Sequence, residues 1–124
     1  MKLRTFLIVA AVLALGYGLG LGLMPAVVNS TYGLGTSASD LLLARFFGAE
    51  LLVVGLAAWL SKDLTGVNVQ PIVMGSLVGD VIATIFALIA TLNGVMNSAG
   101  WSAVAIYFFL SFGFAYFQFM APPK

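Results

Sequence analysis

Three ionisable residues interrupt otherwise apolar stretches of this sequence, and they are the residues best placed to do chemistry. Arg45 and Glu50 lie within "LLLARFFGAELLVVGLAAWL", and Asp80 lies within a later apolar run. A charge in such a segment is energetically costly, so it usually pairs with another charge or marks a path for ions or protons. We therefore treat Arg45, Glu50 and Asp80 as a candidate intramembrane charge cluster.

The composition indicates an integral membrane protein. Hydrophobic residues make up 62% of the 124 residues, charged residues 7%, and the mean hydropathy is +1.13. A soluble domain carries roughly a quarter charged residues, which cover its surface against water. The chain has no cysteine and no histidine, which removes thiolate and imidazole chemistry, so we expect neither a catalytic site nor a metal site. With only five Lys and Arg, a nucleic-acid partner is not expected either.

The elements that must position the three charges are four apolar runs. Each is long enough to cross about 30 Å of hydrocarbon as a helix: residues 3–28, 40–60, 71–93 and 100–120. The sequence thus predicts an all-α fold, a polytopic membrane four-helix bundle in a single transmembrane domain over residues 1–124. Asp40 is predicted to be the N-cap of the second helix, and Pro71 suits the first turn of the third.

The basic residues predict the orientation. Lys2, Arg4, Lys62 and Lys124 all fall at one predicted end, whereas the first and third connections contain no Lys or Arg. The positive-inside rule then places both termini in the cytoplasm. We expect the N-terminal segment to be retained as a membrane span, because no A-x-A cleavage site follows it. The sequon "NST" at residues 29–31 is interpreted as part of a polar loop.

Small and polar residues predict how the helices pack. Glycines at four-residue spacing allow helices to approach closely, and hydroxyl groups bond across helices in lipid. The predicted packing glycines are Gly16, Gly20, Gly48, Gly75 and Gly79, of which the last two should point into the bundle. The predicted polar interior stripe consists of Ser76, Thr84, Thr91, Ser111 and Gln118.

Helical geometry predicts how the charges are arranged. Arg45 borders Gly48 and should face protein, whereas Glu50 is rotated from it by about 140° onto a face suited to lipid. At about 1.5 Å per residue, Glu50 and Asp80 lie near the midplane and Arg45 some 7 Å further out. We therefore predict an ion pair between Arg45 and Asp80. Glu50 is then a neutral acid, a third member of the cluster, or a contact with another subunit.

The fourth run is rich in aromatic residues. A lipid, quinone or pigment could lie along its surface from Tyr107 to Phe119, but no residue specifies a cofactor. Packing against lipid and neighbouring helices is the simpler interpretation.

Several segments resemble an uncharacterised family of small bacterial membrane proteins with four spans. They are "LLLARFFGAELLVVGLAAWL", "GSLVGD", "LNGVMNSAGW" and "LSFGFAYF". The resemblance implies four helices in a bacterial inner membrane and supplies no catalytic residue or ligand. Two functions stay open: an accessory or structural subunit of a larger membrane complex, and a small oligomeric transporter or channel that uses the three charges. In both cases the expected partners of the chain are the lipid bilayer and either other membrane subunits or further copies of the chain.

Overall fold

The computed structural model describes all 124 residues, and its regular secondary structure is entirely helical. The helices are α1 (Leu3–Leu23), α2 (Pro25–Thr31), α3 (Ala38–Ser61), α4 (Gln70–Leu92) and α5 (Gly100–Ala115). A 3-10 turn (Gly66–Asn68) precedes α4, and a π-helical turn (Tyr116–Met120) continues α5.

Four of these segments are long and apolar enough to cross a membrane, which confirms the prediction of four apolar helices. They are Leu3–Leu23, Ala38–Ser61, Gly66–Leu92 and Gly100–Met120. The shortest has 21 residues, which corresponds to about 31 Å of α-helix. Large apolar side chains are exposed along all four, as a lipid-facing surface requires.

The first span was predicted over residues 3–28, and its C-terminal end is wrong because α1 ends at Leu23. Pro25 has no amide proton and disfavours the helical conformation of the residue before it, so α1 ends at Leu23 and Met24 adopts φ −133° and ψ 56°. The chain then forms the short helix α2. The expected polar loop at Asn29 is also wrong, because Asn29 lies in α2, is buried, and donates from its side chain to the Gly35 carbonyl at 2.9 Å.

The start of α3 differs from the prediction by one turn. Ser37 is the N-cap, and its hydroxyl accepts from the Asp40 amide at 3.3 Å. The Asp40 carboxylate in turn accepts from the Ser37 amide at 3.0 Å, which completes a capping box. Asp40 is therefore the third residue of the helix and not its cap. Pro71 lies in the first turn of α4, which confirms its predicted position.

Helices α1 and α3 form a closely packed pair. In each helix, buried residues recur at spacings of four, seven and three, which follow the heptad seam of a left-handed helix pair: Leu7, Ala11, Gly18 and Leu21 in α1, and Ala44, Gly48, Gly55 and Ala58 in α3. Small residues dominate the seam, so the two backbones come together.

Helices α4 and α5 form the second pair, and one apolar core joins it to the first. Phe6 of α1 inserts its ring against Gly113 of α5 and meets the Phe114 ring edge-on at 4.9 Å between centroids. Val73 and Leu77 of α4 complete this core from the other side. Helix α1 thus contacts the second pair through Phe6, whereas α3 packs on α1 and has only a small contact with α4.

Both termini lie at the same end of the molecule. Arg4 donates from Nε to Asp63, in the connection between α3 and α4, at 2.7 Å. Lys124 lies beside Gly66 in the same connection. At the opposite end, the Asn97 amide donates to the Tyr32 carbonyl at 2.9 Å, which ties the first and third connections together.

Candidate functional site

Helix α3 leaves most of its circumference uncovered, and two of its charges lie there. Its buried residues form one stripe against α1, at Ala44, Gly48, Gly55 and Ala58. Arg45 and Glu50 are both exposed. At about 100° per residue, Arg45 lies about 100° to one side of the stripe and Glu50 about 120° to the other. The two side chains therefore flank the outward surface of α3.

The predicted ion pair between Arg45 and Asp80 is absent. The salt bridges of the chain are those of Asp63 with Arg4 and with Lys62. The reason is the packing order: α3 packs along α1 and has only a small contact with α4, and the Arg45 side chain is exposed. The expectation that Arg45 faces protein within this chain is also wrong.

Asp80 lies in the interior seam of α4. It stands three residues after the buried Leu77 and is half-buried itself. It forms no salt bridge, and its carboxylate oxygens receive no hydrogen bond from the chain. The only buried side-chain oxygen or nitrogen without a partner is Oε1 of Gln118, so the Asp80 carboxylate is not sealed from its surroundings.

Two hydroxyl groups, one from each helix of the second pair, meet one turn along α4 from Asp80. Thr84 Oγ1 donates to the backbone carbonyl of Asp80 at 2.7 Å, and Ser111 Oγ donates to that of Tyr107 at 2.7 Å. The two hydroxyl oxygens are 3.3 Å apart. Thr84 and Ser111 are thus brought together, as members of the predicted polar stripe.

Tyrosine hydroxyls extend this polar interior toward the far end of the bundle. The hydroxyl groups of Tyr17, on α1, and Tyr32 are hydrogen-bonded at 2.8 Å. The Tyr32 hydroxyl oxygen also lies 3.3 Å from that of Ser102. The sequence interpretation missed these tyrosines. The available signal was that a phenol in an apolar span needs a hydrogen-bonding partner.

The rest of the predicted polar stripe is half-buried but separate. Thr91 Oγ1 donates to the Ala87 carbonyl at 2.7 Å, two turns along α4 from Thr84. Ser76 forms no side-chain hydrogen bond with another residue of the chain. Gln118 lies in the π-helical turn with its Oε1 buried and unpartnered.

The predicted packing glycines divide into two groups. Gly48 contacts α1, where its closest approach is to Gly18, and Gly20 contacts only Val28 of α2. Gly16, Gly75 and Gly79 have open space where a side chain would be, so their predicted role in packing is wrong within this chain. The glycine stripe of α4 faces outward because α5 packs on the side of α4 that carries Asp80 and Thr84.

The end that carries both termini holds a shallow charged depression. It is open to solvent and is lined by Arg4, Lys62, Asp63 and Lys124 among others. The hydrogen bond from Arg4, followed by that from Lys62, lowers the pKa of Asp63 below its ordinary value. The Lys62 ammonium also lies 4.5 Å from the centre of the Trp59 ring, a cation–π distance.

The aromatic surface from Tyr107 to Phe119 is divided between interior and exterior. Phe114 and Phe117 are buried in the core, whereas Phe108, Phe112 and Phe119 are exposed. A small open apolar hollow lies beside Phe112 and Phe119 and has no polar group that would orient a cofactor. No group of three or more Asp, Glu, Cys or His side chains is placed to hold a metal ion.

Comparison of the chain with protein-family models, with curated proteins and with solved structures finds no match. The family resemblance drawn from the sequence therefore stays a prediction, and the function has to be argued from the surface of α3 and from the interior around Asp80.

Proposed function

We propose that the chain is a non-enzymatic subunit of a larger membrane assembly, in which the outward surface of α3 contacts another membrane protein. The observation that carries this proposal is the exposure of Arg45 and Glu50 within a 24-residue apolar helix. An unpaired charge near the middle of a membrane span costs at least about 2.5 to 3.5 kcal/mol on insertion scales. A partner that supplies complementary groups would offset this cost at both positions.

The open glycine stripe of α4 supports the same role. Gly75 and Gly79 are one turn apart, and nothing in the chain lies within 4 Å of where their side chains would be. Lipid gives no hydrophobic reward for helix association, so small residues that let backbones approach are typical of helix contacts in membranes. The chain thus offers a second surface suited to another helix. The connections are short, which favours a role in assembly over one in chemistry outside the membrane.

The proposed location is a bacterial inner membrane, with the end that carries both termini in the cytoplasm. Lys2, Arg4, Lys62 and Lys124 all belong to that end, and the opposite connections carry no Lys or Arg. The positive-inside rule favours this orientation. Fusion of a reporter that is active only in the cytoplasm to Lys124 tests it, because a periplasmic C-terminus would leave the reporter inactive.

The assembly is tested by purifying the tagged full-length chain from its native membrane in mild detergent and identifying the co-purified proteins by mass spectrometry. We expect companion subunits in fixed stoichiometry, which Arg45→Gln and Glu50→Gln each reduce. Asp80→Asn is the matched control, since it removes an intramembrane charge that does not lie on the outward surface of α3. Recovery of the unmodified chain only as a monomer contradicts the proposal.

A small oligomeric transporter or channel is the second candidate. The observation that favours it is the half-buried Asp80 side chain, which has no ion-pair partner within the chain. In this alternative, Arg45, Glu50 and Asp80 line a polar route completed by several copies, because four helices enclose little space. Reconstitution of the purified chain in liposomes tests it. A proton-coupled flux that Glu50→Gln abolishes would favour transport. The absence of flux under any imposed gradient would contradict this alternative.

A further inference from the structure

An apolar face runs along α3 on the side turned away from α1. Its residues recur at alternating spacings of four and three over about 27 Å of helix, which is nearly the whole span. Such alternation is the heptad pattern of a helix that packs along a second helix in a left-handed pair. The six residues, here called the heptad face, are Leu42, Phe46, Ala49, Val53, Leu56 and Leu60. All six are exposed, so the chain itself does not supply the second helix.

Arg45 and Glu50 flank the heptad face on either side of its smallest residue, Ala49. About the helix axis, Arg45 lies about 60° to one side of the centre of the face and Glu50 about 80° to the other. Arg45 directly precedes Phe46, an a position of the heptad, and Glu50 directly follows Ala49, a d position. The two charges therefore occupy the g and e positions, which carry the ion pairs between helices in coiled coils.

We propose that a second copy of this chain occupies the heptad face, in a two-fold symmetric dimer in which Arg45 of each copy pairs with Glu50 of the other. In a parallel helix pair, a g position faces the e position five residues later on the partner, and Glu50 is five residues after Arg45. Copies in one membrane share one orientation, so a two-fold axis along the membrane normal makes their α3 helices parallel. The dimer thus forms two ion pairs at once and leaves neither charge facing lipid.

Charge complementarity favours a second copy over an unrelated partner. The heptad face has a base on one flank and an acid on the other, at the offset in depth that a parallel pair of identical helices needs. An unrelated helix would have to supply an acid opposite Arg45 and a base opposite Glu50 at the matching depths. Ala49 lets the two backbones approach where the ion pairs form. This contact rests on the proposed function, because it takes the outward surface of α3 as a protein interface and names its occupant.

Disulfide crosslinking of the full-length chain in its native membrane tests the heptad face, because the chain has no cysteine of its own. Ala49→Cys and Val53→Cys each place a thiol on the face. Val54→Cys is the matched control: it replaces the same residue type as Val53→Cys and is also exposed, at 45% against 61%, but lies about 100° further round the helix. On mild oxidation we expect a disulfide-linked homodimer from Ala49→Cys and Val53→Cys and none from Val54→Cys. Equal crosslinking at positions 53 and 54 overturns the proposal, as does its absence at both 49 and 53.

Charge exchange in the Val53→Cys background tests the ion pairs. Arg45→Glu alone brings acid against acid and Glu50→Arg alone brings base against base, so each should reduce the crosslinked fraction by at least about tenfold. Co-expression of these two variants with different tags restores both ion pairs, but only between unlike chains. We therefore expect a mixed dimer at close to the fraction of the unexchanged background, which also shows that both variant chains fold. A mixed dimer no more abundant than either homodimer overturns the pairing.

The outcomes separate this dimer from the proposed assembly. If positions 49 and 53 give no homodimer while companion subunits still co-purify and are lost in Arg45→Gln, an unrelated membrane protein occupies α3. The dimer is then overturned and the proposed function stands. If neither a homodimer nor a companion is found, both are overturned. A homodimer with no other companion supports the dimer and limits the assembly to copies of this chain.

Discussion

Gly18 and Gly48 face each other across the α1–α3 contact with no room for a side chain on either. A Cβ atom at Gly48 would lie 2.8 Å from the carbonyl oxygen of Gly18, and one at Gly18 would lie 2.9 Å from that of Gly48. Both obstacles are helix backbone, which cannot turn aside as a side chain can. The two glycines therefore set how closely the first and third helices approach.

Gly48→Ala should destabilise the chain by about 1 to 3 kcal/mol, because the added methyl group forces the two backbones apart. Gly75→Ala is its matched control on α4. Gly75 has open space around it, so alanine there should be neutral or should stabilise the helix by up to about 1 kcal/mol. Denaturant titration in mixed micelles measures the free energy of unfolding of both variants. Equal effects at the two positions would contradict the close contact.

Phe6 should be the most sensitive aromatic residue, since its ring joins the two helix pairs. It is buried, fits against Gly113, and contacts the rings of Phe109, Phe114 and Phe117. Phe6→Ala should cost about 3 to 5 kcal/mol of unfolding free energy through the cavity that it leaves. Phe119→Ala removes a ring that is 68% exposed and should cost far less. A comparable loss in both variants would mean that Phe6 does not hold the pairs together.

Arg45 and Asp80 should behave as independent residues in the isolated chain. They form no ion pair, so the destabilisation of Arg45→Ala and that of Asp80→Ala should add to within about 0.5 kcal/mol in the double variant. A double-mutant cycle on the monomer, with unfolding free energy as the readout, measures this. A coupling energy above about 1 kcal/mol would instead support a direct Arg45–Asp80 ion pair, as helical geometry predicts from the sequence.

The sequence was sufficient to predict the four apolar helices, since each carries a long apolar run bounded by turn residues. It misplaced the end of α1, where Pro25 interrupts the apolar run without a change in hydrophobicity. It also failed to identify the buried face of α3. Nearly every residue of that helix is apolar, so hydrophobic periodicity carries little contrast, and only the spacing of Ala44, Gly48, Gly55 and Ala58 marks the seam.

The candidate site was only partly predictable for a related reason. Thr84 and Ser111 could be assigned to interior faces because hydroxyl groups in lipid need partners. Which helices are neighbours is a property of the whole fold, and the sequence does not state that α3 packs along α1 and has only a small contact with α4. The exposure of Arg45 and the hydrogen bonds between Tyr17, Tyr32 and Ser102 follow from that arrangement.

The salt bridge of Asp63 should make a small part of the stability depend on pH. The hydrogen bonds from Arg4 and Lys62 lower the pKa of Asp63 in the folded chain below its ordinary value of 3.8. A carboxyl group with a lowered folded pKa stabilises the fold above its unfolded pKa, and this contribution is lost as the pH falls through the folded value. The unfolding midpoint of wild type should therefore exceed that of Asp63→Asn at pH 7, and the difference should shrink on acidification below about pH 4.

The groups are exposed, so the difference should be small and should also shrink at high salt. Thermal unfolding of the two proteins at pH 7 and pH 3, at one fixed low ionic strength, measures it. A difference that stays constant between these pH values would show that the Arg4–Asp63 pair does not tie the N-terminus to the connection between α3 and α4 in solution.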